Sequence, residues 1–263
     1  MWKKMLMICF VAFFMMSLPI RANTSSNIEK LNNITDEALQ MVKIKRDDDA
    51  QRLLHQFSEE FLEVTAKEAA FDMDELRIIT AAYDGAAKTL EEETSGYENK
   101  VNAVTKLRLV IDAVYSQHHP LWTEMEESMM VTFSETKKAV SEKNSQQFHN
   151  ELNQLMTQYD LIYYSLKVDV NADKMQTLDK KFQYVDQYRP QIFANVASQK
   201  ELDALQYDMK AIFDEMKEDE ADPSLWWVII STGSIIIGTL SYVGWRKYKG
   251  AKENVRSKHD TKH

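Results

Sequence analysis

The stretch FHNELNQLMTQYDLIYYSL, residues 148–166, decides the fold class of this chain. Six of its large apolar residues recur alternately four and three positions apart, which places these six on one face of an α-helix. These residues are Phe148, Leu152, Leu155, Tyr159, Ile162 and Leu166. Because such a face has to be buried against other elements, the stretch predicts a long helix in a multi-helix core.

The same spacing continues on both sides of this stretch. Between Asn23 and Ser224 the chain has only two glycines, Gly85 and Gly96, whereas β-sandwiches and barrels need glycine and proline in their many tight turns. We therefore expect an all-α fold, a bundle or layered array of about eight amphipathic helices. The other seven faces begin at Ile28, Leu53, Leu76, Tyr97, Leu121, Met175 and Leu202.

The N-terminus predicts export. Lys3 and Lys4 precede an uncharged apolar run, Met5 to Leu18, that has the length of a signal-peptide core and is short for a membrane span. Ala22 offers a small residue at a cleavage point. Residues 1–22 are thus predicted to be a signal peptide, with an uncleaved N-terminal anchor as the alternative, and residues 23–221 an extracytoplasmic all-α domain.

Residues 225–245, LWWVIISTGSIIIGTLSYVGW, predict a C-terminal transmembrane helix. The run holds no charge, and as a helix it would span about 30 Å, the thickness of a bilayer core. Aromatic rings stand near both of its edges, where amphipathic side chains prefer the lipid headgroups. These predicted interface anchors are Trp226, Trp227, Tyr242 and Trp245.

The tail, residues 246–263, predicts the orientation of this span. It carries seven basic and two acidic side chains, and Arg246, Lys247 and Lys249 directly follow the span. Positive flanks stay in the cytoplasm, so we expect a single-pass cell-membrane protein with a cytoplasmic tail, an extracytoplasmic body and membrane lipid as a partner. The segment 23–245 has 22 basic and 39 acidic residues, so nucleic acid is not an expected partner.

No motif for catalysis or metal binding stands out in the body. The sequence lacks HExxH, GxSxG and Walker A patterns, and its single cysteine, Cys9, lies in the predicted signal peptide. We therefore predict no enzyme activity, no catalytic residue, no cofactor and no metal site. Arg108 stands among apolar residues at the edge of a predicted buried face. We expect it to extend its charged end to solvent or to pair with an acid such as Asp112 one turn later, with binding of a ligand carboxylate as the alternative.

Small residues form a stripe along the predicted span. Ser231, Ser234, Gly238 and Ser241 follow one another at intervals of three, four and three. Such a stripe allows close approach of two helix backbones, so it predicts association with a second copy or with a partner helix.

Four stretches of the chain resemble the sporulation protein YpjB family of endospore-forming bacteria. They are MDELRIIT (73–80), LRLVIDAVYSQHHPLW (107–122), SLKVDV (165–170) and DPSLWWVIISTGSIIIGTLSYVGWRKYKG (222–250). The order of signal peptide, helical body, single span and basic tail is also similar. The resemblance implies a role in spore formation at the mother-cell or forespore membrane, and it implies no catalytic or ligand-binding residues.

Two functions are compatible with these observations. The first is a non-enzymatic interaction protein whose exported helical body docks another membrane or exported protein. The second is a membrane-anchored sensor whose body binds a small ligand or cation and signals through the span. The short tail has no room for an output domain, which favours the first.

Overall fold

The computed structural model describes residues 22–68, 70–116, 119–218, 229–237, 239–245 and 247–248. Within these ranges the chain is helical and contains no strand, so the all-α prediction is confirmed. Residues 1–21 of the predicted signal peptide and residues 249–263 of the predicted tail lie outside the described ranges. The chain divides into two units, residues 1–214 and residues 215–263.

Nine α-helices and one 3-10 helix occupy the described part of residues 22–218, where about eight helices were expected. They are α1 (Ala22–Lys43), α2 (Asp47–Glu68), α3 (Met73–Glu91), α4 (Tyr97–Tyr115), the 3-10 helix (Leu121–Met125), α5 (Glu126–Ser141), α6 (Ser145–Asp169), α7 (Ala172–Gln187), α8 (Arg189–Ala194) and α9 (Val196–Glu218). The extra element is α8, a short helix with Pro190 in its first turn.

Local sequence explains several helix boundaries. Asp72 caps α3 by accepting hydrogen bonds from the backbone N–H groups of Asp74 and Glu75, and the Glu75 side chain accepts one from the Asp72 N–H in return. Asn144 caps α6. These caps satisfy backbone donors that a helix start would otherwise leave without partners.

The turn after α1 contains no glycine. Lys45 has φ 60, the Arg46 N–H donates to the Met41 carbonyl at 2.9 Å, and the Lys45 N–H donates to the Val42 carbonyl at 2.9 Å. This is the hydrogen-bond pattern of a Schellman motif, which usually places glycine at the left-handed position. The turn after α5 repeats it at Lys143, φ 56, which explains how a chain so poor in glycine can form tight helix corners.

The predicted inward face of α6 is confirmed. All six residues of the predicted face are buried. Phe148 packs against Phe193 with ring centroids 5.4 Å apart, and Tyr159 stacks on Phe182 at 3.7 Å. The alternation of four and three therefore identified the buried face correctly.

Helix α4 lies at the centre of the body and departs from the amphipathic expectation. It packs against α1, α3, α6 and the 3-10 helix, and the seven consecutive residues from Leu107 to Ala113 are all buried. A helix surrounded by neighbours has no solvent face in its middle. At the N-terminus of α4, Tyr97 was expected to be buried but is 45% exposed, and its hydroxyl donates to the Lys43 carbonyl at 3.1 Å.

The segment after Pro120 also differs from the prediction. A single amphipathic helix was expected from Leu121, whereas residues Leu121–Met125 form a 3-10 helix before α5 begins at Glu126. The tighter turn rotates the side chains, so that Leu121 points outward and is 41% exposed while Trp122 is fully buried.

In the second unit, residues 229–237 and 239–245 are helical, and their large apolar side chains are exposed. Searched over the described residues only, the chain shows no helix with enough length and apolar character to cross a bilayer. The predicted span at 225–245 includes residues 225–228 and 238, which lie outside the described ranges.

Candidate functional site

Six polar or aromatic side chains lie close together in the first unit around the buried Arg108 and Trp122, and they form what we call the buried charge network. They come from α1, from α4, from the 3-10 helix and from the last residue of α6. The network consists of Asn32, Asp36, Arg108, Asp112, Trp122 and Asp169.

Arg108 is the positive charge of this network, and it is only 9% exposed. Its Nη1 donates to Asn32 Oδ1 at 2.7 Å and to Asp112 Oδ1 at 3.3 Å, and its Nε donates to Asp36 Oδ1 at 3.3 Å. The predicted pairing with Asp112 is thus confirmed. Because the guanidinium already binds acceptors on α1 and α4, these contacts compensate a charge that would be costly to bury alone.

Asp112 connects α4 to the 3-10 helix. Its Oδ1 accepts from Arg108, and its Oδ2 accepts from the backbone N–H of Leu121 at 2.6 Å. Both carboxylate oxygens therefore have donors, and the backbone of the 3-10 helix is fixed to a residue of the central helix.

Trp122 and Asp169 form the second connection to the 3-10 helix. The indole Nε1–H donates to Asp169 Oδ2 at 2.6 Å, and the Trp122 ring is completely buried. Burial raises the pKa of Asp169 to about 6 from an ordinary 3.8, the hydrogen bond from Trp122 opposes this rise, and the negative charge of Asp112 adds to it. The carboxyl group of Asp169 therefore changes its charge near physiological pH.

The Trp122 ring also reaches helix α9. Its centroid lies 5.4 Å from that of Phe213, with an interplanar angle of 40°, and Phe213 is fully buried. The same side chain thus contacts the end of α6 through its N–H group and α9 through its ring.

The network contains no arrangement suited to covalent chemistry. Its members are carboxylates, a guanidinium, an amide and an indole, none of which forms a nucleophile–base pair here. In the described part of the chain, no group of three or more His, Cys, Asp or Glu side chains could hold a metal ion. What the geometry offers is a hydrogen-bonded junction of four elements with one titrating carboxyl at its edge.

Two open clefts lie on the outer side of α2, with volumes of about 330 and 320 Å³. Arg52 contributes to both. Its guanidinium and that of Arg46 both pair with the carboxylate of Asp49. These clefts are shallow and solvated, and they lack a buried polar group directed at a ligand.

The predicted membrane residues are only partly described. Ser231, Ser234 and Ser241 lie in the helical ranges 229–237 and 239–245 with exposed side chains, as do Tyr242 and Trp245. Lys247 is also exposed. Five of the predicted membrane residues lie outside the described ranges: Trp226, Trp227, Gly238, Arg246 and Lys249. Association through the small-residue stripe, anchoring by the aromatic residues and the orientation set by the basic residues therefore remain predictions.

Sequence reasoning identified Arg108 and Asp112 but missed Trp122 and Asp169. These two lie 47 positions apart, and no local spacing relates them. A signal was nevertheless present, because Arg108, Asp112 and Trp122 fall in the stretch 107–122 and Asp169 in the stretch 165–170, two of those that carry the family resemblance. The structure brings these two stretches together at the buried charge network.

Comparisons with known proteins agree with that resemblance. The family described as "Sporulation protein YpjB (SpoYpjB)" matches residues 28–257. The chain is similar to the Bacillus subtilis (strain 168) protein named "Uncharacterized protein YpjB", with 35% identity over 260 residues that cover 97% of this chain and 98% of that relative. No solved structure matches the chain.

Proposed function

The chain belongs to the sporulation protein YpjB family, and from this membership we propose that it acts in spore formation as a non-enzymatic, single-pass membrane protein whose helical body binds another membrane or exported protein. The observation that carries the proposal is the extent of the family match. It runs from residue 28 to residue 257, through the helical body and the predicted span alike.

Membrane attachment is supported by the sequence and by the exposure of the C-terminal apolar side chains. Ile229, Ile235, Ile237 and Leu240 are each more than 60% exposed, although isoleucine and leucine are among the residues most often buried. A contiguous exposed apolar surface of this kind marks contact with lipid or with another protein. We place the membrane at residues 225–245, with the body outside and the tail in the cytoplasm.

An interaction role is supported by the nature of the buried charge network. Its hydrogen bonds and ion pairs connect four elements, which suits a scaffold better than a reaction site. The body also presents large apolar side chains to solvent, among them Leu62, Val131 and Tyr207, which are candidates for contact with a partner.

The role in spore formation is tested by deleting the gene in its endospore-forming host and counting heat-resistant spores. We expect the deletion to lower the spore yield, the full chain to restore it, and a chain ending at residue 221 to fail. An unchanged yield after deletion would refute the sporulation role, and full restoration by the truncated chain would refute the need for the span.

The predicted contact along the span is tested by in-cell crosslinking through growth and sporulation. One variant replaces Ser231, Ser234, Gly238 and Ser241 with leucine, and its matched control replaces Ile229, Ile230, Ile235 and Ile236 with leucine. We expect the first variant to lose a crosslink, to a second copy or to another protein, that the control keeps. Equal crosslinking of both variants would argue against helix association through the small-residue stripe.

The orientation is tested by thiol labelling in a Cys9→Ser background. We expect a membrane-impermeant reagent to label Asp84→Cys in intact cells and Lys258→Cys only after lysis. The reverse pattern would contradict the proposed topology.

A sensor function is the second candidate, and the titrating carboxyl of Asp169 is the observation that favours it. If no protein is crosslinked at any stage while the purified full chain binds a small molecule or metal ion, the interaction role fails and the sensor role takes its place.

A further inference from the structure

Helix α9 is held to the first unit mainly by its apolar face. Five of its side chains are buried: Leu202, Leu205, Met209, Ile212 and Phe213. Its ion pairs to other helices join Lys137 to Asp203 at 3.0 Å, Lys181 to Asp208 at 2.6 Å and Lys210 to Glu126 at 2.9 Å. Ion pairs that are exposed or only partly buried contribute little to stability, so the attachment of α9 depends mainly on the apolar contacts, including that between Phe213 and Trp122.

Trp122 in turn depends on two carboxylates from different helices. Asp169 accepts from its indole N–H, and Asp112 accepts from the backbone N–H of the preceding residue, Leu121. The position of the ring that touches α9 is therefore set by a pair of acids that repel each other when both are ionised.

Several ionisable groups on the surrounding elements have other partners. Arg108 binds Asp112 and Asp36 rather than Asp169, His119 Nε2 lies 3.9 Å from Glu124 Oε1, and Lys210 lies 2.9 Å from Glu126. Asp112 is the charged residue that raises the pKa of Asp169, in addition to burial.

We propose that Asp169, Trp122 and Phe213 form a proton-controlled latch, in which ionisation of Asp169 loosens the contact of α9 with the 3-10 helix and protonation tightens it. The latch goes beyond the proposed function and does not depend on it. Since α9 is the helix that precedes the predicted span along the chain, it is the element through which the charge state of the body would affect the C-terminal part.

The sign and size of the pH effect follow from the linkage between proton binding by Asp169 and the opening of the contact between α9 and the 3-10 helix. Asp169 has a pKa of about 6 in the folded protein and an ordinary value of 3.8 where the junction is open. The form in which α9 is separated from the 3-10 helix therefore becomes more populated as pH rises above 3.8 and through the folded-state pKa of about 6. The equilibrium constant for this opening should increase about tenfold between about pH 5 and about pH 7.5.

The test is hydrogen–deuterium exchange of the full chain in detergent micelles at these two pH values, read in peptides from the 3-10 helix and α9. Comparison with Asp169→Asn at each pH cancels the intrinsic pH dependence of exchange, and asparagine keeps an acceptor for Trp122. We expect the ratio of the wild-type exchange rate to the variant exchange rate to be about tenfold larger at the higher pH than at the lower pH. The matched control Asp84→Asn, an exposed aspartate of α3, should exchange like wild type.

Two results would overturn the proposal. One is an equal ratio of the two exchange rates at both pH values, and the other is an effect of the same size in peptides of α2, which would indicate global destabilisation instead of local opening.

A second variant, Trp122→Phe, keeps an aromatic ring against Phe213 but removes the hydrogen bond that lowers the pKa of Asp169. The pH midpoint of α9 exchange should therefore move upward, and an unchanged midpoint would equally exclude the latch.

Discussion

Replacing Arg108 with methionine should remove the positive charge of the buried charge network and leave the Asp112 carboxylate buried. Asp112 would keep the hydrogen bond from Leu121 but lose its counter-charge, and breaking a buried ion pair from one side costs about 3–5 kcal/mol. The Arg108–Asp112 contact of 3.3 Å is longer than a strong charge-assisted hydrogen bond. We therefore expect a loss near the lower limit, about 3 kcal/mol of the free energy of unfolding.

Urea unfolding of the full chain in detergent micelles, followed by far-UV circular dichroism, measures this loss. The matched control is Arg77→Met, because Arg77 also pairs with a nearby aspartate on its own helix, Asp74 at 2.9 Å, but is exposed. Its replacement should change the free energy by less than about 0.5 kcal/mol.

A double-mutant cycle separates loss of the ion pair from loss of packing. In the Arg108→Met background, Asp112→Asn removes the uncompensated charge and keeps an acceptor for the Leu121 N–H. The double variant should therefore be about 2 kcal/mol more stable than the sum of the single effects predicts. A coupling below about 0.5 kcal/mol, or a cost for Arg108→Met no larger than for Arg77→Met, would refute the reasoning.

Three further predictions concern single positions. Because the pKa of Asp169 is higher in the folded protein, at about 6, than its ordinary 3.8, wild type should lose stability as pH rises between these values. Asp169→Asn should remove this loss and be about 1–3 kcal/mol more stable near neutral pH, as measured by urea titrations across the range. Phe57→Ala should cost about 3–5 kcal/mol because the ring is fully buried between Phe61 and Tyr83, whereas exposed Leu62→Ala should cost less than about 0.5 kcal/mol in the same assay. Asp72→Ala should cost about 1 kcal/mol through loss of the α3 capping box, and an unchanged thermal midpoint would contradict this role.

Much of the fold could be predicted because helical periodicity is a local property. A face repeating every three and four residues has to be buried in any all-α fold, and the six residues chosen in α6 are all buried. Capping is local as well, since the Asp72 side chain reaches only the next turn. The pairing of Arg108 with Asp112 could be expected for the same reason, because residues one helical turn apart are neighbours.

Tertiary structure decided the features that depend on neighbours distant in the sequence. The middle of α4 is buried on all sides because α1, α3, α6 and the 3-10 helix surround it, and no spacing within α4 reports how many partners it has. Trp122 and Asp169 meet only because the 3-10 helix turns the indole toward the end of α6. The raised pKa of Asp169 likewise has a long-range cause, since desolvation and the charge of Asp112 come from elements packed around it. The sequence by itself thus determined the helices and most of their buried faces. Packing determined the buried charge network and its titrating carboxyl, because burial of a charge is a property of the assembled core and not of the segment that carries the charge.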